Sequence, residues 1–345
     1  MSFLICMGTL SACSQPVIGP DASGIQSSAV YQGTKQDPKP PQIVNQWYAE
    51  VNGNTSPDVI AAELGLTVLS QDPDSKLVLF LGEITKSELE DHEAVELADP
   101  NNTTNWSVPV DLTLGFSQGG WTSEDVENQF PLQALHLDAV HERKRGTSVR
   151  IAVLDTGVDP THPHLKDRVD LLGPGELLTS VDIADGIDND QNGEADDAYG
   201  HGTHVSGTIL SLAPDVTIIP IRVLNEEGWG TEFDLATGLE IALEQDVDLV
   251  NLSLVLTDVS PIIAALLDEL AAEGIKVIGA GGNEPGLIRF PASHHSVLGI
   301  AAVDAGIFLA PFSGSIGAKF AAPGVDILNA YPGGALAYGT GTSMS

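Results

Sequence analysis

Three short words in this chain each carry a reactive side chain to a point where a turn would expose it. Ile151-Ala152-Val153-Leu154-Asp155-Thr156-Gly157 runs an apolar strand straight into a carboxylate and then breaks at glycine. Gly200-His201-Gly202-Thr203-His204 opens a stretch of small residues with a histidine, and Gly339-Thr340-Gly341-Thr342-Ser343-Met344 sets a serine just after a glycine turn. A hydroxyl becomes a useful nucleophile only beside a base, and an imidazole is a dependable base only when a third group holds its tautomer. Ser343, His201 and Asp155 supply those three functions, so the chemistry predicted is acyl transfer. Singly, each residue has a duller reading: a strand-end aspartate as a turn cap, a helix-start histidine as packing. His204 competes with His201 for the base role and, sharing its helix face, would suit a metal pair; no third ligand word supports zinc there.

The run from Asp188 to Asp197 is a second candidate. Asp188, Asp190, Asn192 and Asp196 offer oxygen ligands and Gly193 suits a sharp turn, a pattern that predicts bound calcium. Tyr199 stands where such a loop would end in a bidentate glutamate. A solvated acidic loop is the other reading of the run.

The elements that must position these residues follow from periodicity and punctuation. Val149–Leu154, Val216–Val223, Leu249–Leu254 and Ile275–Gly279 read as buried strands. Between them, a helix opens at Thr231 or Glu232 and reaches about Gln245, and an apolar helix runs from Pro261 to Glu273 and stops at Gly274. Apolar strands alternating with helices predict an α/β fold, a parallel sheet with helices on both faces and its site at the carboxyl ends of the strands. Ahead of it, strands at Ile43–Val51, Leu66–Leu69, Leu77–Leu81 and Val95–Leu97 surround helices at Ser56–Leu64 and Thr85–Asp91, with Asp72-Pro73-Asp74 as a turn. That β-α-β-β-α-β order predicts a small α+β, ferredoxin-like module over residues 43–98. Residues 99–128 are polar and read as an exposed connector, which leaves 129–345 for the larger domain.

In their order Asp, His, Ser, the three reactive words resemble those of the subtilisin-like serine proteases, the subtilase family. The resemblance covers about residues 130 to 345. It is extended by Val277-Ile278-Gly279-Ala280-Gly281-Gly282-Asn283, by Phe290-Pro291-Ala292-Ser293 and by Phe320-Ala321-Ala322-Pro323-Gly324. It implies a serine endopeptidase with Asp155, His201 and Ser343 as triad, His204 as a packing residue, and Asn283 as donor to the oxyanion with the Ser343 amide. It also implies that Gly228-Trp229-Gly230 and Ser253-Leu254-Val255, with Gly281 and Gly282, flank an extended peptide or protein substrate. The family usually has glycine where Val255 stands. Precursors of this kind carry a propeptide that assists folding and blocks the cleft until self-cleavage, a role residues 43–98 suit, with the cut between Asn101 and Asn128. In the family the serine opens a long buried helix; the sequence ends at Ser345, so this polypeptide is expected to be poorly folded or inactive alone. Arg143-Lys144-Arg145 is read as the end of a helix rather than a processing site. The alternative to an enzyme is an inactive subtilase-like lipoprotein acting as a binding module. A lipase of the Gly-x-Ser-x-Gly type is excluded by the word around Ser343.

Composition limits the partners. Lys and Arg number 14 against 48 Asp and Glu, a formal net charge of −34, which repels nucleic acid and anionic lipid. The only cysteines are Cys6 and Cys13. Residues 1–12 read as a secretory signal although no Lys or Arg precedes its apolar run. Leu10-Ser11-Ala12-Cys13 resembles a bacterial lipobox, which implies lipidation at Cys13, export, and membrane attachment through that anchor alone. Residues 13–42, rich in Ser, Gly, Gln and Pro, read as a flexible tether.

Overall fold

The computed structural model describes residues 43–71, 75–105, 111–115, 122–172, 200–225 and 228–345. The first elements are β1 (Gln46–Val51), α1 (Pro57–Leu64), β2 (Thr67–Gln71), β3 (Leu77–Leu81), α2 (Lys86–Glu90) and β4 (Val95–Pro100). Their strands form an antiparallel sheet in the order β2-β3-β1-β4. Local chemistry explains the helices. Pro57 starts α1 and Gly65 ends it in the left-handed conformation, while Thr85 and Glu88 close a capping box on α2. Alternation along β1 divides the sheet's two faces. Ala49 and Val51 join Ile60, Phe80 and Leu89 in the module's own core, whereas Tyr48 and, on β3, Leu77 turn the other way into the main core.

Next come β5 (Thr103–Asn105), β6 (Asp111–Gly115), α3 (Ser123–Glu127), α4 (Phe130–Ala134) and α5 (Leu137–His141). This stretch departs from the exposed connector expected over 99–128. Asp99 and Asn101 are buried, and β5 and β6 are paired strands. The polar residues are buried because they are hydrogen-bonded: Asp99 takes Ser260 Oγ–H and Lys86 Nζ, each at 2.9 Å, and Asn101 Oδ1 takes the Phe233 amide at 3.0 Å. Arg143, Lys144 and Arg145 follow the end of α5, and Arg145 Nε is 2.8 Å from Asp215.

The larger body runs β7 (Arg150–Asp155), α6 (His201–Leu212), β8 (Thr217–Arg222), β9 (Trp229–Thr231), α7 (Glu232–Glu244), β10 (Leu249–Leu252), α8 (Pro261–Ala272), β11 (Lys276–Ala280), β12 (Gly286–Leu287), β13 (Val297–Val303), β14 (Gly314–Ile316), β15 (Phe320–Pro323), β16 (Ile327–Tyr331) and β17 (Ala335–Thr340). Six strands form one parallel sheet in the order β15-β13-β11-β10-β7-β8. Successive residues of β7 face opposite sides: Ala152 and Leu154 pack with α7 and α8, Ile151 and Val153 with α6. α8 alone buries Ile262, Ile263, Leu266, Leu267 and Leu270, each such side chain contributing about 1.5–3 kcal/mol. The expected strands and helices of this sheet are present. The strand expected over Leu249–Leu254 ends at Leu252, so Ser253, Leu254 and Val255 leave the sheet at its carboxyl edge. No helix among the described residues is long and apolar enough to cross a membrane.

Candidate active site

Asp155 is the last residue of β7 and is fully buried. Its carbonyl takes the amides of Val223 and Leu224 at 3.0 and 3.2 Å, which fixes the strand end against the loop after β8. Its carboxylate takes the Thr156 amide at 2.7 Å. His201 opens α6, also fully buried, with Nδ1 at 2.8 and 2.9 Å from the two Asp155 oxygens. A carboxylate only accepts, so Nδ1 carries the proton and Nε2 of the neutral ring is the basic nitrogen. The close approach depends on Gly202. A Cβ there would lie 2.1 Å from the Gly157 carbonyl oxygen, and the Gly202 amide donates to Thr156 Oγ1 at 3.1 Å. Small residues continue along α6 for the same reason: a Cβ on Gly207 would lie 2.3 Å from Asn329 Oδ1.

His204 faces away from this pair. Its Nε2 lies 3.0 and 3.1 Å from the carbonyls of Ile327 and Ala337, and complete burial pushes its pKa down to about 4. It is a neutral packing residue between α6 and the β16–β17 hairpin.

Ser343 is buried in a short 3₁₀ turn, Thr342–Met344, that follows β17. It is tied to the end of β10: Ser253 Oγ donates to the Ser343 carbonyl at 3.2 Å, and Ser343 Oγ to the Ser253 carbonyl at 3.4 Å. Asn283 lies just past β11, half-buried. Its Oδ1 takes both the Thr342 amide at 2.8 Å and the Thr342 hydroxyl at 3.0 Å, and that hydroxyl takes the Gly282 amide at 3.0 Å. A backbone N–H can only donate, so the oxygen end of the amide must face Thr342 and the NH₂ end is turned away from it. Gly281, whose amide bonds the Ile300 carbonyl at 2.8 Å, anchors this turn to β13.

Two of the three substrate-flanking words are tied to these residues, Ser253 to Ser343 and Gly282 to Thr342. Leu254 is fully buried, so only its main chain can meet a ligand, whereas Val255 is half-exposed. Val255 and Arg289 stand on either side of Gly282, where an added Cβ would lie 3.6 Å from Val255 Cγ1 and 3.1 Å from Arg289 Cγ. Gly228 leads into β9, and β9 is already paired: Thr103, Thr104 and Asn105 face Thr231, Gly230 and Trp229 in antiparallel register. Asp111 of β6 faces Thr340 of β17, close to the serine turn. Residues 103–105 and 111–115 of the chain thus pair with β9 and β17. Sequence reasoning missed this pairing, and it missed Thr156 and Thr342 as the residues that hold Gly202 and Asn283. Asp188, Asp190, Asn192, Asp196 and Cys13 lie outside the described residues.

With the geometry in place, comparison with known proteins identifies the chain's relatives. The model of the subtilase family, peptidase S8, matches residues 146–345, more than half of the chain. An intracellular serine protease of Paenibacillus polymyxa is 34% identical over 241 residues, covering 64% of this chain and 71% of that protein. A thermophilic serine proteinase of Bacillus sp. strain AK1 is 30% identical over 325 residues, 88% of this chain and 74% of that one. Fervidolysin from Fervidobacterium pennivorans, a keratinolytic enzyme related to subtilisin, shares the fold with a TM-score of 0.65 at 22% identity over 87% of this chain. The chain spans about half of fervidolysin's length, 52%. Sequence and fold agree, and the chain belongs to the subtilase family of serine-type endopeptidases.

Proposed function

We propose that the chain is an exported, self-processing precursor that hydrolyses peptide bonds through Asp155, His201 and Ser343. The observation that carries this reading is the buried Asp155–His201 pair, with its protonated Nδ1 on the carboxylate at 2.8 Å. In the reaction, Nε2 of His201 takes the Ser343 proton as Oγ attacks the carbonyl carbon of the scissile peptide. The tetrahedral oxyanion is met by the NH₂ of Asn283 and the amide of Ser343. His201 then gives its proton to the leaving amine, and water repeats the sequence on the acyl-enzyme. Asp155 stabilises the imidazolium without taking the proton.

Residues 43–98 are assigned the role of a ferredoxin-like propeptide. The β5–β9 pairing supports it, since a strand added to β9 is how an extended peptide would bind there. Asn105 faces Trp229 and Asp111 faces Thr340, and on that support the proposal puts the self-cleavage bond between Asn105 and Asp111. Calcium at Asp188, Asp190, Asn192 and Asp196, and a lipid anchor at Cys13, complete the proposal on the sequence pattern alone.

Fluorophosphonate labelling followed by intact-mass measurement tests it, with Ser343→Ala as control. Against the expectation of an inactive polypeptide, the result this reading requires is one label per chain, lost in the variant, together with a mass loss that ends between Asn105 and Asp111. Labelling that persists in Ser343→Ala, or no labelling of any folded form, overturns the assignment of the nucleophile.

A further inference from the structure

A second group of ligand-bearing side chains stands apart from the catalytic residues. Asp268 lies on α8, and His294 and His295 lie in the turn ahead of β13. One ligand atom from each falls within 4.8 Å of the others. Asp268 Oδ1 is 3.2 Å from His295 Nε2 and 3.9 Å from His294 Nε2. We propose that Asp268, His294 and His295 bind a divalent transition-metal ion of the zinc class, with water in the remaining positions.

The hydrogen bonds around His294 point to a ligand. Ser296 has one hydroxyl proton, which goes to the Leu267 carbonyl at 3.2 Å. The 2.8 Å contact between Ser296 Oγ and His294 Nδ1 is therefore donated by the imidazole. With its proton on Nδ1, the neutral ring aims the Nε2 lone pair at the Asp268 carboxylate. Two lone-pair atoms facing each other repel, and a cation between them turns that repulsion into binding. Holding the remote ring N–H by a hydrogen bond is also how metal-ligating histidines are oriented.

The donor set chooses the ion. Two imidazoles and one carboxylate suit zinc and its neighbours, whereas calcium and magnesium require oxygen ligands. Ligands at ~2.0–2.2 Å from a tetrahedral zinc lie about 3.3–3.5 Å apart, so the Asp268–His295 pair at 3.2 Å must open slightly and His294 at 3.9 Å must close by roughly half an ångström. The side chains can adjust, since Asp268 is 51% and His295 77% exposed. Lys319 is the adverse charge nearby, and its ammonium is held on the His295 and Val297 carbonyls at 2.8 and 2.7 Å. The bound ion would clamp α8 to the turn that follows Phe290, whose carbonyl takes the Leu256 amide at 2.8 Å. The same segment carries Arg289, whose amide bonds Gly281 at 3.0 Å beside Asn283. Site occupancy would therefore brace one wall of the candidate substrate cleft from outside.

The test is a zinc titration of the full chain by calorimetry, in a Ser343→Ala background so that self-cleavage does not interfere. Thermal unfolding with and without zinc accompanies it. One zinc per chain and a rise in unfolding temperature are expected. His295→Ala and Asp268→Asn, both at exposed positions, should each weaken binding at least tenfold, and Ser296→Ala several-fold. Calcium should not compete. The proposal is overturned if the parent binds no zinc at about millimolar concentration, or if both ligand variants bind as the parent does.

Discussion

The two ends of a carboxamide differ little in shape, so its neighbours decide what it can do. At Asn283 the neighbour is the Thr342 amide, a group that can only donate, and it commits the oxygen to structure and the NH₂ to a ligand. Asn283→Ala is therefore expected to lower kcat about 10²–10³-fold with little change in KM, because the lost donor acts on charge that develops in the transition state. Thr342→Val should give a smaller loss of the same kind, since the amide bond to Asn283 persists while the hydroxyl link to Gly282 is broken. Asp155→Asn should reduce turnover by roughly 10⁴-fold by favouring the wrong imidazole tautomer. Steady-state kinetics on a peptide substrate measure all three. Asp155, His201 and Ser343 stand out in the sequence as candidates because glycines and small residues frame each one, and the structure pairs the first two. Thr156 and Thr342 do not stand out, because a threonine's partners are set only when strands distant in the chain meet.

Elements were legible where their signals are local. Thr85 with Glu88, Thr231 with Asp234 and Ser260 with Pro261 announce helix starts that the structure contains. β5 and β6 had no such signal: Thr103 pairs with Thr231 and Asp111 with Thr340, so their strand character comes from partners far along the chain. Packing between elements gives two predictions. Gly202→Ala would drive a methyl into the Gly157 carbonyl, and should destabilise the chain by at least about 1–3 kcal/mol in urea unfolding while displacing His201. The second concerns Glu232 at the start of α7, buried against the N-terminal module. Tyr48 has one proton and two acceptors, Ser260 Oγ at 2.6 Å and Glu232 Oε2 at 3.3 Å. Burial first, then the Asp99 carboxylate, with Asp258 adding to them, raise the Glu232 pKa to about 7, against hydrogen bonds from Asn102 and Tyr48 that lower it. Lys86 meets the cluster on the far side, at Asp99. An acid whose pKa is raised by docking favours the docked state at low pH and loses that advantage as pH rises through 4.5 towards 7. The cleaved module should accordingly bind up to tenfold more weakly per pH unit across that window, and Glu232→Gln should flatten the dependence, as read by binding titration. Buried His204 titrates with the opposite sign but lies within the larger body, so it bears on global unfolding rather than on module release.

At the scale of the whole molecule, the candidate site and the N-terminal sheet share one core, and β5 pairs with β9. Tyr48 and Leu77 of the N-terminal sheet sit in the same core as α7 and α8, and β5 continues from that sheet onto β9. Peptidase activity on added substrate is therefore expected to appear only after the module separates, with a lag visible by gel and by substrate turnover together. Full activity of an uncut Asn105–Asp111 chain would contradict this. The β5–β9 pairing carries a further consequence through concentration. While the chain is continuous, β5 is presented to β9 at an effective concentration on the order of millimolar, which a free peptide must match in order to compete. Once the chain is cut, the module becomes an ordinary second molecule, and its hold depends on how much of it is in solution. Diluting a freshly cut preparation should thus shorten the lag, whereas concentrating it should keep the enzyme silent for longer.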